Sequence, residues 1–355
     1  LARESGRARS AAGGSATILQ VAEAAGVSRQ TVSNVINAPH RVRQETRERV
    51  ERVIGELGYH PNRVARWLRV SSPGMIGYRI RPVAEESVAS IHDRFLHTLA
   101  EFGEASDHHV LVFTASDTEE EADRCTALCR TGTVSGVVLY DLTPYDTRPD
   151  RLTAAGVPFV AFGRTAAGAD RYSWVDVDNS AGTAIAVDHL VAAGHRRIGF
   201  IGWPEGSSVG DARARGWLEA MDRHGLLAGS HRLDVRGPDT MSSGTRLMSE
   251  LLDRPSPPTG VVAATDTLGV GALHAVRDRG LLLGRDIAVV GFDDTPAASA
   301  LGLTSLRQPI EEVGQLIITE LVRLTGRDTE DAAAAPMNRL LEPDLVARAS
   351  TVPGR

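Results

Sequence analysis

The sequence predicts two parts: a small all-α head built around a helix-turn-helix, and a large α/β body of two doubly wound subdomains. Three observations predict this. Residues 17–58 hold three short stretches of helical period separated by glycine-containing turns. From residue 75 the texture changes to short Val- and Ile-rich runs that alternate with helical stretches. Charge divides near the same point: residues 1–70 hold 12 Arg and 6 Glu, net +6, and residues 71–355 hold 27 Arg against 39 acidic groups, net −12. A basic head on an acidic body suggests that the head meets a polyanion. At 355 residues the chain is too long for one small core.

The first 16 residues, rich in Arg, Gly and Ser and without an apolar core, read as a disordered arm rather than a secretory signal. Helix one starts at "TILQ", a capping box with Thr17 as N-cap and Gln20 three residues on. Ile18, Val21, Ala22 and Ala25 form its apolar stripe, and Gly26 is suited to a left-handed helix end. Ser28 caps a second helix that packs through Val32, Val35 and Ile36. A third helix in "RQETRERVERVIGELGYHP" has the stripe Val50, Val53, Ile54 and Leu57, with Gly58 and Pro61 as its stop.

If the second helix packs on its apolar face, Arg29, Gln30, Ser33 and Asn34 point outward near its N-terminal end. That is the end a recognition helix offers to the major groove. Arg pairs with guanine O6/N7, and Gln or Asn with adenine N6/N7, so these residue types suit base reading. The plainer alternative is a solvated polar face, which the turn and the basic balance disfavour.

The run "ATILQVAEAAGVSRQTVSNVINAPHRVRQETRERVERVIGELGYHPNRVARWLR" resembles the N-terminal domain of the lactose-repressor (LacI) family, nearly gap-free through some 50 residues. The resemblance implies that Arg29, Gln30 and Asn34 are the base-reading positions; many members carry Arg where this chain has Asn34. It places phosphate contacts near Ser28, Thr31, Ser33, Asn37, Arg41 and Asn62, and Thr17 joins the DNA-facing candidates. "PNRVARWLRV" resembles the family's hinge helix, with Ala65 and Leu68 at minor-groove positions and Leu68 as the wedge between central base pairs. An inserted Leu unstacks one step, and the kink admits more contact; the alternative is a plain linker helix. The expected domains are a helix-turn-helix at 17–60, a hinge helix and linker at 61–75, and an effector-binding and dimerisation core at 76–355.

In the body, "MIGYRI", "HVLVFT", "SGVVLYD", "VPFVAFG" and "YSWVDVD" read as strands of one half, and "RRIGFIGWP", "HRLDVRG", "TGVVAATD" and "DIAVVGFDD" as strands of the other. Open α/β sheets bind ligands beyond the carboxyl ends of their strands, and two facing sheets make a cleft that closes by hinging. The body resembles, more loosely, the LacI family and the periplasmic sugar-binding proteins. That resemblance implies a periplasmic-binding-protein-like core crossed three times, near 177, 307 and 337. The subdomains would then run about 76–177 with 308–337, and about 178–307 with 338–350.

Asp293 in "GFDDT" sits at a strand end where ligand would lie, and the resemblance implies that Arg213 in "ARARGW", three residues before a Gly, is the family's effector-binding Arg. They make either a clamp on vicinal hydroxyls or a structural ion pair. Asp266 reads as the N-cap of the helix after "AATD". Thr265 stands where the family often has a ligand-contacting Asn. Phe95, Trp174 and Trp203 are candidate platforms for a sugar ring, with Trp203 equally a cover on the subdomain edge; Arg164 after "VAFG" is a further cleft candidate.

No nucleophile elbow, dinucleotide fingerprint or metal-ligand cluster is present, so neither an enzyme nor a cofactor is expected. "GWPEGS" lacks the Lys and spacing of a phosphate loop. Cys125 and Cys129 read as reduced structural thiols, and His92, His97, His108 and His109 as surface groups. No apolar run spans a membrane, and a cytoplasmic location is expected. No heptad run ends the chain, so the expected assembly is a homodimer on a near-palindromic operator. The expected activity is transcriptional repression relieved by a sugar or oligosaccharide. The alternatives are a corepressor ligand such as a purine, or a solute-binding protein.

Overall fold

The computed structural model describes residues 16–37, 39–59, 74–81, 91–227, 233–326 and 335–352, and the chain separates into two units, 1–71 and 72–355.

In the first unit, α1 (Ile18–Ala25) begins with the full capping box: Gln20 N donates to Thr17 Oγ1, and Thr17 N donates to Gln20 Oε1 at 2.7 Å. Gly26 ends it with φ 63, a left-handed conformation that a β-carbon would strain. α2 (Arg29–Asn37) opens on Ser28, whose hydroxyl accepts from Thr31 N at 3.0 Å. A 3₁₀ turn, Pro39–Arg41, leads to α3 (Gln44–Leu57), which Gly58 closes at φ 58. Val21, Ala22, Ala25, Val32, Val35 and Val50 are buried together, with Ile18, Ile36, Val53 and Ile54 half-buried against them. Leu57, expected in the stripe of α3, is 41% exposed on the last turn of the helix.

The second unit holds two six-stranded sheets. Its elements are β1 (Met75–Arg79), α4 (Ile91–Ala105), β2 (His109–Phe113), α5 (Thr118–Arg130), β3 (Gly136–Tyr140), α6 (Arg148–Ala154), β4 (Phe159–Phe162), β5 (Trp174–Val177), α7 (Asn179–Ala192), β6 (Ile198–Gly202), α8 (Ser208–Arg223), β7 (Asp234–Arg236), α9 (Met241–Leu252), β8 (Gly260–Ala263), α10 (Asp266–Asp278), β9 (Ala288–Phe292), α11 (Pro296–Leu301), β10 (Thr304–Arg307), α12 (Ile310–Thr325), β11 (Asn338–Leu341) and β12 (Asp344–Val346). The first sheet runs β11-β5-β4-β3-β1-β2 and the second β12-β10-β9-β8-β6-β7. All pairings are parallel except β10–β12.

The apolar runs alternate as strands buried on both faces must. In β3, Val138 and Tyr140 join Phe95, Leu99 and Ile317 on one side, while Val137 and Leu139 join Cys125, Leu152 and Phe159 on the other. One large cluster spans both faces of the second sheet. Gly216 lets α8 lie against α7, since a β-carbon there would stand 2.1 Å from Ser180 O. That close approach fixes Arg213 one turn earlier.

The chain passes between the sheets after β5, after β10 and between β11 and β12. The third passage corrects the expected crossing near 337. Asn338–Leu341 pair in register with Trp174–Val177, so the chain leaves the first sheet only at Glu342 and Pro343. Trp174 N donates to Met337 O at 2.8 Å and Asp178 N to Leu341 O at 2.7 Å, which ties this strand to β5 at both ends. Pro343, with no N–H to give a ladder, stands where the chain changes sheets.

Candidate functional site: a reading helix and an acidic cleft

In the head, Val32 and Val35 turn inward while Arg29 and Gln30 are exposed and Thr31, Ser33 and Asn34 are half-buried. Packing thus uses one face of α2 and leaves the polar one outward. Gln30 Nε2 donates to Asn34 Oδ1 at 3.1 Å, joining two of the expected base-reading positions across one helical turn. Ser28 and Thr31 hydroxyls lie 2.9 Å apart at the helix start, where backbone N–H groups favour phosphate. Arg41 is exposed on the 3₁₀ turn. Asn37 is the last residue of α2. Asn62, Ala65 and Leu68, and with them the hinge-helix expectation, lie outside the described residues.

In the body, the strand ends of both sheets line one cleft of about 800 Å³. Its first wall is aromatic: Tyr78 near the end of β1, Tyr140 at the end of β3 and Phe162 at the end of β4, with Ile91, His92 and Leu96 from α4. Tyr78 and Tyr140 stack at 5.0 Å, and His92 lies 4.6 Å from Tyr140. Burial, aided by Arg81, pushes His92 down to about 4, so its ring is neutral at pH 7. This corrects the surface reading of His92; its position on the inner turn of α4 brings it to the cleft.

The second wall is polar. Arg213, 3% exposed, donates from Nε to Asn179 Oδ1 at 2.8 Å and from Nη1 to Ala264 O at 2.5 Å. Its Nη2 stands 3.6 Å from Asp293 Oδ1, and its guanidinium covers the Phe292 ring at 3.6 Å. Asp293 also accepts from Gln308 Nε2 at 2.6 Å. Asp293 and Asp294 have φ 111 and φ 51, strained for non-glycine residues and typical of functional turns. Asp294 holds the strained turn by pairing with Arg307 and Arg348 at 2.6 and 2.5 Å.

Burial pushes Asp293 up to about 7 against the pull of Arg213, with Asp266 and Asp239 adding to the rise. Asp176 rises to about 6 through burial, opposed by Arg164 at 3.4 Å. Sequence reading singled out Arg213 and Asp293, and the structure brings them together in the cleft with Arg164, Trp203 and Thr265.

Two candidates are corrected. Phe95 is fully buried one layer behind the aromatic wall, 4.8 Å from Phe162, and does not reach the cleft. Trp174 faces the opposite side of its sheet, where its indole donates to Ala169 O at 2.9 Å and its ring lies under Arg164. Asp266 is not the cap of α10. Thr265 is, accepting from Leu268 N at 3.2 Å, while Asp266 is fully buried and accepts from Thr295 N and Ser305 Oγ at 2.6 Å each. The position before "DT" takes the extended cap conformation, and the carboxylate one residue later turns inward to brace the loop after β9 against β10.

Sequence reading missed Tyr140, Asn179, Asp239 and Gln308. Each stands within three residues of a strand end, so the strand-end rule applied to every strand would have found them.

Residues 17–62 match the family of bacterial regulatory proteins of the lacI type, and residues 187–351 a periplasmic binding protein-like domain. The chain is 36% identical over 343 residues to the transcriptional regulator CelR of Thermobifida fusca, covering 94% of this chain and 98% of that one. It is 33% identical to the transcriptional regulator AglR of Rhizobium meliloti, covering 94% of each. It is 31% identical to the lactose operon repressor of Escherichia coli, covering 95% of this chain and 91% of the repressor. Among solved structures, a CelR–cellobiose complex superposes with TM-score 0.69 at 32% identity, covering 94% and 99% of the two chains. The lac repressor dimer bound to operator and the anti-inducer ONPF superposes with TM-score 0.78 at 29% identity, covering 95% and 99%.

Proposed function

The chain belongs to the LacI family of bacterial regulatory proteins, and from that premise we propose that it is a repressor released from its operator by a neutral sugar or oligosaccharide. That it is a DNA-binding transcriptional regulator and not an enzyme follows from the family itself. The observation that carries the ligand class is the pairing of an aromatic wall with a wall of Arg213, Asp293 and Asp176 in one cleft. Sugar rings stack on aromatic faces while their hydroxyls donate to carboxylates. The cellobiose bound by the related CelR supports the same class here.

In this reading Arg29, Gln30 and Asn34 read base edges, and Ser28, Thr31, Ser33 and Arg41 meet phosphate, with Leu68 as the hinge wedge. A homodimer supplies two heads for two half-sites. The three passages between the sheets act as the hinge, and closure on sugar favours the arrangement in which operator binds weakly.

The test is selection of binding sites from random DNA with the purified chain, then titration of the selected duplex with neutral sugars and with purines. Sugar-dependent release is the expected result. Tightening by a purine would instead establish a corepressor.

A further inference from the structure

We infer that Asp239, positioned by Thr265, accepts hydrogen bonds directly from ligand hydroxyls and makes the cleft select neutral polyols against their carboxylate- or phosphate-bearing counterparts. This rests on the sugar reading above.

The geometry separates the two roles. Thr265 lines the cleft, but its hydroxyl is already committed. It accepts from Leu268 N as the cap of α10 and donates its single hydrogen to Asp239 Oδ1 at 2.5 Å. No proton remains on it for a ligand oxygen. What Thr265 does is hold Asp239, which enters the cleft from the loop between β7 and α9, 26 residues away in the chain. An ionised carboxylate offers about four acceptor positions. Thr265 engages one oxygen of Asp239, which leaves acceptor capacity on a side chain that lines the cavity.

Charge supplies the selectivity. Four other cleft carboxylates have cations beside them: Asp293 has Arg213, Asp176 has Arg164, Asp141 has Arg81 and Asp211 has Arg236. Among the described residues, Asp239 has no Arg or His nitrogen within ion-pair distance, and the nearby guanidinium of Arg213 is turned to Asn179, Ala264 and Asp293. An anionic ligand would bring a further negative charge beside Asp239 in a partly desolvated space, where repulsion is poorly screened. A neutral ligand brings only hydroxyl donors, which a lone carboxylate binds strongly.

The experiment measures binding by the full-length chain calorimetrically. The neutral probes are cellobiose, maltose, sucrose and trehalose. The charged probes are cellobionic acid, maltobionic acid, sucrose 6-phosphate and trehalose 6-phosphate. The wild type should bind at least one neutral disaccharide and its charged counterpart at least tenfold more weakly. Asp239→Asn should weaken the neutral sugar at least tenfold and shrink the discrimination to about threefold or less. Thr265→Val should follow it, and Thr265→Ser, which keeps both hydrogen bonds, should restore both values. Melting temperatures identify any variant that fails to fold, and Asp239→Ser then replaces Asp239→Asn.

A wild type that binds none of the neutral probes would end the sugar reading and this inference together. A wild type that binds them while Asp239→Asn keeps the same affinity and discrimination would end this inference alone.

Discussion

The reading helix and the cleft both present polar groups for recognition, but they assemble them differently. The helix draws Arg29, Gln30, Thr31, Ser33 and Asn34 from one stretch of nine residues, backed by a core of six buried side chains. The cleft draws Arg213 from the second turn of α8, and Asp239, Thr265 and Asp293 from three separate loops that follow strands. The helix groups are exposed or half-buried. The cleft groups are desolvated, and Asp293 and Asp176 are pushed up by it. A change in the helix should therefore alter which bases are preferred, by a graded amount. A change in the cleft should switch a response off.

The largest effect tests that contrast first. Asp293→Ala removes a partner of Arg213 and should abolish release by sugar while operator affinity in the absence of sugar stays within threefold, measured by fluorescence anisotropy on labelled operator. A variant that still releases normally would remove the strained turn from the site. Next, Arg29→Ala should relax base preference at one position per half-site by about 1–3 kcal/mol, read by selection from a randomised operator. Equal losses on all sequences would show that Arg29 only touches phosphate.

Smaller still, Thr17→Ala should lower the stability of the head by about 1 kcal/mol through loss of the capping box, read from its melting transition. The core of the head is thin, so this loss should be visible there and leave the body's transition unmoved.

The smallest effect is on pH. Asp293 is raised to about 7, so any stability it contributes is complete below the ordinary carboxylate range near 4 and is lost as pH rises through 7. Sugar hydroxyls favour the ionised form. Sugar affinity should therefore rise a few-fold from pH 6 to pH 8, and Asp293→Asn should flatten that profile.

The same difference governs what the sequence discloses. The head's signals are local: Thr17 with Gln20, Gly26 after Ala25, and Ser28 before Arg29 all act over three or four residues, and each is found in place. In the body nine of the twelve strands read well because burial on both faces leaves continuous apolar runs, whereas the short β10 and the more exposed β11 and β12 give no such signal. The side on which a residue falls does not read so easily. Phe95 and His92 share one helix three residues apart, yet one is core and the other lines the cleft. Thr265 and Asp266 exchange the roles that composition suggests, because Ser305 and Thr295 come from strands and loops that no local pattern ties to α10. The last crossing between sheets is set by the pairing of β11 with β5, a contact across more than 160 residues. Spacing carries no trace of such a contact, although Pro343 marks the place.

The central claim is that one cleft and one reading helix share a coupling free energy, and such coupling is reciprocal. The direct measurement is the affinity of a neutral disaccharide for the chain alone and for the chain saturated with its selected operator, together with operator affinity at zero and saturating sugar. The account predicts that each ligand weakens the other by the same factor, five-fold or more. Sugar affinity unchanged by operator, or strengthened by it, would contradict the account.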